Sequence, residues 1–193
     1  MTVTVITPPT DLVVSIEEMR RHLNETSDEF DPLLEEYILA ASGLLAGPDG
    51  LLGRSLALQT LEVEAEGFCP GRIRVPCPPV VTVLSVKYDD ASGIEQTLPS
   101  SAYRVVRSDD GHTYLSSSWG TSWPATRWGP GGVRIRYEAG YAPGAVPQPI
   151  KQAVRLMVAD MFAYRESRIG AAAATAVPHD VEGLVANFRI WSL

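Results

Sequence analysis

The chain has 193 residues, of which 45% are hydrophobic and 20% charged, the balance of a folded globular protein and one that excludes wholesale disorder. That length gives one domain with a real core or two small ones. A formal net charge of -7 repels polyphosphate and argues against a DNA-wrapping role.

Lys87 and Lys151 are the only lysines, so the cation is nearly all arginine, which favours planar, bidentate pairing over diffuse charge. Sixteen glycines and fifteen prolines imply many turns and hence a β-rich part. The two cysteines, Cys69 and Cys77, fit no zinc spacing. A bridge between them is possible, but nothing points to an oxidising compartment, so they read as thiols. Residues 1–11 lack a basic stretch followed by an apolar core, so no signal peptide is expected. Nor is there a run of about 18 apolar residues that would span a membrane.

In chain order the elements are helices, then strands, then helices. Ser15 and Glu18 form a capping box, Val14 and Met19 occupy the staple positions, and Ile16, Met19 and Leu23 follow at helical spacing; this helix fades near Asn24. A second helix starts near Asp31 with Pro32 in its first turn. Its stripe is Leu34, Tyr37, Ile38, Ala41 and Leu45, and Gly47-Pro48-Asp49-Gly50 ends it.

Leu61, Val63 and Ala65 then alternate with Glu62, Glu64 and Glu66, a strand with one wet, acidic face. That face reads as solvated, or as a patch complementary to Arg134 and Arg136 of a neighbour. Further strands are expected at Ile73 to Val75, Val80 to Tyr88, Ile94 to Leu98, Tyr103 to Val106 and His112 to Leu115, the last two joined by a turn at Asp110-Gly111. After a loop bearing Trp119, Trp123 and Trp128, a last strand alternates Val133, Ile135 and Tyr137 with Arg134 and Arg136. A long helix begins at Pro149 with Ile150, Val154, Met157, Met161 and Tyr164 on one stripe. Residues 170–176 read as a linker, and a short helix covers about residues 180–187. The fold class is α+β: a helical bundle built from both ends of the chain, with a mostly antiparallel β region inserted. The expected division is 1–56 for the N-terminal helices, 57–141 for the β region and 142–193 for the C-terminal helices and tail, the helical parts packing as one domain.

The chemistry-bearing residues do not assemble into a catalytic set. His22, His112 and His179 lie on a helix, a strand and a loop, with no zinc-binding pair among them. No nucleophile elbow or phosphate-binding glycine loop is present. Asp89-Asp90 and Asp109-Asp110 each precede a glycine and read as turn carboxylates; a hydrolase built on Asp89, Asp90 and His112 would lack nameable oxyanion donors. The three loop tryptophans suit core packing, a subunit interface or, as a rival function, a sugar-stacking platform. The chain end, with Phe188, Ile190, Trp191 and Leu193, is apolar, and is either docked on its own core or held for a partner.

An ordered series of motifs spans most of the chain. Val14-Ser15-Ile16-Glu17-Glu18-Met19-Arg20-Arg21-His22-Leu23 is followed by the acidic-Leu-Leu start of the second helix, then by Gly53-Arg54-Ser55-Leu56 and Gln59-Thr60. Pro79-Val80-Val81-Thr82-Val83-Leu84-Ser85-Val86-Lys87-Tyr88-Asp89-Asp90, Trp123-Pro124, Val133-Arg134-Ile135-Arg136-Tyr137-Glu138-Ala139-Gly140-Tyr141 and Gly183-Leu184-Val185-Ala186-Asn187-Phe188-Arg189 come after. Together these resemble the long form of the phage head–tail connector, or adaptor, family, also found in gene transfer agents. Residues 47–52 and the extension beyond Arg189 depart from the family pattern.

The resemblance implies a structural protein of the virion neck, made in the bacterial host cytoplasm, with neither catalysis nor cofactor. It implies a ring, commonly of twelve copies, beneath the portal protein, extending the DNA channel and presenting a platform to the next neck or tail-completion protein. DNA would pass the lumen without sequence-specific binding. The C-terminal segment, with Leu184, Val185, Phe188, Arg189, Ile190, Trp191 and Leu193, is then the expected portal-docking element. Trp119, Trp123, Arg134 and Arg136 are candidates for the contact between subunits.

Overall fold

The structure, a computed structural model, describes residues 1–68, 71–109, 111–164 and 179–190, with the backbone alone at residues 179 and 180. Cys69, Asp110, the expected linker at 170–176, Trp191 and Leu193 lie outside the described residues. The chain forms two compact units, and the fold class is α+β as expected. One unit combines Met1–Thr10 with Leu58–Gly140; the other combines Asp11–Ala57 with the described residues from Tyr141 onward.

The first unit is made of antiparallel strands. Strand β1 (Thr2–Thr7) pairs with β2 (Gln59–Ala65), which pairs with β8 (Val133–Ala139). Strand β4 (Val80–Asp89) takes the other side of β8, and β5 (Glu95–Leu98) the other side of β4, so the order is β1-β2-β8-β4-β5. A smaller sheet has the order β3-β7-β6, with β3 at Arg72–Val75, β6 at Tyr103–Arg107 and β7 at Thr113–Ser117. Both sheets contribute to one core. Leu61, Val63, Val86, Ile135 and Tyr137 come from the larger sheet, and Ile73, Val75 and Leu115 from the smaller. Tyr137 is fully buried, and burial pushes its hydroxyl pKa upward, so it stays protonated and donates to the Pro76 carbonyl at 2.9 Å.

Two features correct the expectations. The division at residue 56 places residues 2–7 with the N-terminal helices, whereas they form the edge of the larger sheet. Thr-Val alternation over residues 2–5 suits a pleated strand, but β1 lies almost wholly exposed, so pairing rather than burial holds it. Strand β4 carries two register shifts against β8, at Val80/Thr82 and Val83/Ser85. Each shift breaks strict alternation, and Val81 and Leu84 are left half-exposed despite their apolar character.

The second unit is helical. Helix α1 (Ile16–Leu23) has both arms of the expected capping box: the Ser15 hydroxyl accepts from the Glu18 N–H at 3.1 Å, and Glu18 Oε2 accepts from the Ser15 N–H. It ends at Asn24 in the left-handed region, φ 57°. Helix α2 (Asp31–Leu45) has proline in its first turn, and Leu34, Ile38, Ala41 and Leu45 are fully buried. Helix α3 (Gln148–Ala163) buries Ile150, Val154, Met157 and Val158, and Phe30 meets Phe162 edge-on with centroids 5.5 Å apart. The chain closes with α4 (His179–Val185) and a 3-10 turn at Ala186–Phe188.

Glu18 also ties α1 to α3. Its Oε1 lies 3.5 Å from Lys151 Nζ and from an Arg155 nitrogen, one helical turn apart. Burial alone would raise the Glu18 pKa, but the Ser15 N–H and the two cations outweigh it and hold it below the usual carboxylate range. Its stabilisation is therefore complete above that range and is lost as pH falls through the lowered value. Glu18→Ala is expected to cost about 1 kcal/mol in urea unfolding at neutral pH. Glu18→Gln keeps the cap and loses the charge, so its stability should vary less with acid than that of wild type; an unchanged acid limb would contradict this role. Tyr137→Phe is expected to cost about 1 kcal/mol by orphaning the Pro76 carbonyl, measured in the same way.

Candidate functional site

The wet face of the larger sheet is built by cross-strand register. Glu64 lies opposite Arg134 and Glu62 opposite Arg136, while Lys87 lies opposite Arg134 on its other side. Arg134 is the hub. Its Nη2 is 2.8 Å from both Asp89 Oδ1 and Glu95 Oε2, and its Nη1 donates to the Gly131 carbonyl. Lys87 Nζ closes the network on Glu95 Oε1 at 2.8 Å. Arg136 pairs with Glu62 at 2.8 Å. Hydrogen bonds from Lys87 and Arg134 lower the Glu95 pKa, and the Asp89 carboxylate above all raises that of Arg134. Of the acidic face, Glu62 thus meets Arg136 within the chain, whereas Arg134 pairs with Asp89 and Glu95 of other strands.

The tryptophans have separate surroundings. Trp123 stacks flat on Phe68, centroids 4.6 Å apart and planes at 4°, against the β core. Trp119 is 85% exposed with the Arg104 guanidinium over its ring at 4.5 Å. Trp128 is exposed and lies across Gly67, where a Cβ would come within 2.7 Å of the indole. Three rings with three different partners, one already stacked on Phe68, do not offer the open platform that sugar stacking requires.

The C-terminal segment divides residue by residue. Val185 and Ile190 are buried at 1% and 8% exposure, and Phe188 packs on the helical core. The Ile190 N–H donates to the Leu52 carbonyl at 2.9 Å, and Arg54 Nε donates to the Phe188 carbonyl. Leu184 and Arg189 remain exposed. A cleft of about 170 Å³ beside them is lined by Leu51, Leu52, Glu182, Val185, Ala186 and Arg189.

The residues of the hydrolase alternative are occupied otherwise. Asp89 pairs with Arg134. Asp90 Oδ1 accepts from the Ser92 and Ile94 N–H groups, and Oδ2 from the Gln96 amide. The Ile94 N–H and the Gln96 amide lead the contacts that lower the Asp90 pKa, as befits a turn carboxylate. His112 is buried beside Tyr114. Among the described residues no group of three or more His, Cys, Asp or Glu could hold a metal, and no helix is long and apolar enough to cross a membrane.

No family model matches the chain, and no curated protein matches it. Among solved structures, chains of gene transfer agent particles share its fold end to end. One, in the virion of a native particle, is 24% identical with a TM-score of 0.76. A second, in the neck of an empty particle computed with C6 symmetry, is 24% identical with a TM-score of 0.74. A third, in the neck of a native particle computed with C12 symmetry, is 23% identical with a TM-score of 0.70. Each match covers 100% of this chain and 97% of the other.

Arg134→Gln is expected to lower the melting temperature by about 2–4 °C. It should also raise the Glu95 pKa toward its ordinary value, so that the variant loses less stability than wild type as pH falls. Carbon-detected NMR titration of the Glu95 carboxyl checks this; an unshifted midpoint would show that Arg134 does not hold it.

Proposed function

We propose that this chain is a non-catalytic structural subunit of a virion neck: an adaptor that forms a ring beneath the portal, extends the DNA channel and joins head to tail. The observation that carries the reading is the end-to-end likeness to chains from the necks of gene transfer agent particles, with 100% of this chain and 97% of each of those chains aligned at TM-scores of 0.74 and 0.70. The symmetry of the neck of a native particle, C12, supports a ring of twelve copies. The partners are the portal protein above, a neck or tail-completion protein below and copies of the chain itself. The location is the neck of the particle, after synthesis in the bacterial host cytoplasm. DNA passes the lumen without sequence-specific contacts.

Portal docking is assigned to the C-terminal segment. Val185, Phe188 and Ile190 hold that segment on the helical core from inside. Leu184 and Arg189 face outward and supply the contact, together with Trp191 and Leu193 at the chain end. A docking element needs one side anchored and the other apolar or hydrogen-bonding, and this segment has both.

Leu184→Asp with Arg189→Glu is expected to leave the thermal melt within a few degrees of wild type and to reduce co-purification with portal protein by about tenfold or more. Deletion of the whole coding sequence should yield filled heads without tails. Tailed, infectious particles made without this chain would contradict the adaptor reading.

A further inference from the structure

The smaller sheet of the β unit has two unlike faces. Residues opposed across its ladders share a face, so Arg72, Ser116 and Arg104 form one row and Arg74, Tyr114 and Val106 the next. The alternate positions Ile73, Val75 and Leu115 turn inward and are buried. The outer face therefore gathers three guanidinium groups, and β3, β6 and β7 contain no carboxylate to offset them. Two of the three are laid on aromatic rings: Arg72 lies 3.8 Å from the Tyr114 centroid and Arg104 lies 4.5 Å from that of Trp119. Stacking orders the guanidinium plane and leaves its edge N–H groups free for a carboxylate. Among the described residues none of the three is in an ion pair. Exposed Trp with stacked Arg and Tyr is the composition of an interface anchor.

The opposite charge is equally concentrated. Asp11–Ala57 holds ten carboxylates and three arginines, and so carries by itself the formal net charge of -7; the rest of the chain is balanced. The densest stretch is residues 25–36. There Asp28, Glu29, Glu35 and Glu36 are exposed and outside any ion pair among the described residues, while Asp31 is held by Arg20. A chain with a basic patch and a separate acidic segment is complementary to its own copies head to tail, the kind of contact that can close a ring.

We propose that the face formed by Arg72, Arg74 and Arg104 docks on residues 25–36 of the next copy, with Trp119 as the apolar anchor; this rests on the ring reading above. Duplex DNA is the other polyanion that could occupy such a face. The net charge of -7 sets up a repulsive field toward DNA at long range, whereas each copy brings its own acidic segment.

Charge exchange tests it, with self-association of the full chain followed by sedimentation velocity at low ionic strength. Arg72→Glu with Arg104→Glu, and separately Glu35→Arg with Glu36→Arg, should each weaken association by about tenfold or more, and wild-type association should fall with added salt. A 1:1 mixture of the two variants, and the chain bearing all four substitutions, should associate again. All these positions are exposed, and a circular dichroism melt confirms that each variant folds. Failure of the exchange to restore association, wild-type association in either variant, or a wild-type chain that stays monomeric would overturn the proposal. So would loss of duplex DNA binding in Arg72→Glu/Arg104→Glu, read by fluorescence anisotropy, with self-association unchanged. The neck reading fails separately, by absence of the chain from purified particles.

Discussion

Strand β8 is paired on both sides, and its period-two alternation decides the facing of the larger sheet. Val133, Ile135, Tyr137 and Ala139 point into the core and are fully buried, while Arg134, Arg136 and Glu138 point outward. A slip of one residue would drive two guanidinium groups into the core and four apolar side chains into water. The ion pairs of Arg134 and Arg136 with β2, β4 and β5 fix the same register from the wet side. Burial supplies most of the energy, since partly exposed ion pairs contribute little. The pairs instead make the one correct register electrostatically consistent.

The helical unit is fixed by a smaller device. Helix α1 has eight residues, too few to persist alone, and Met19 is its fully buried side chain. Glu18 compensates by capping its own helix and pairing with two cations of α3. Carboxylates and arginines inside each unit are thus partly spent on folding. Arg72, Arg74 and Arg104, outside any ion pair among the described residues, gather on the smaller sheet, while the chain's net negative charge lies in residues 11–57. For the ring proposed above, an arginine face and an acidic segment supply two unlike contact surfaces, as closure requires.

Much of this was legible in the sequence because local signals agreed with the fold. The capping box at Ser15, the proline at the start of α2 and the alternation of β2 and β8 each rest on nearest-neighbour chemistry. What escaped depends on long-range pairing. Strand β1 buries almost nothing and exists through its partner β2, so it lacked the burial rhythm that marks other strands. The shifts in β4 turned Val81 and Leu84 outward against their hydropathy. The arginine face was hidden because Arg72, Arg74 and Arg104 come from two separate strands, and no run of cations announces it. The chain end gave two readings, self-docked or held for a partner. The fold divides it, with Val185 and Ile190 inward and Leu184 outward.

Membership of a neck ring, as proposed above, is read out by imaging the neck itself. A cryo-electron microscopy reconstruction of the neck of particles purified from a producing culture, computed without imposed symmetry, should show this chain as twelve copies in a closed ring directly beneath the portal. Density for both of its units should be present in every copy. A neck that is complete at side-chain detail and contains no density for this fold would contradict the account.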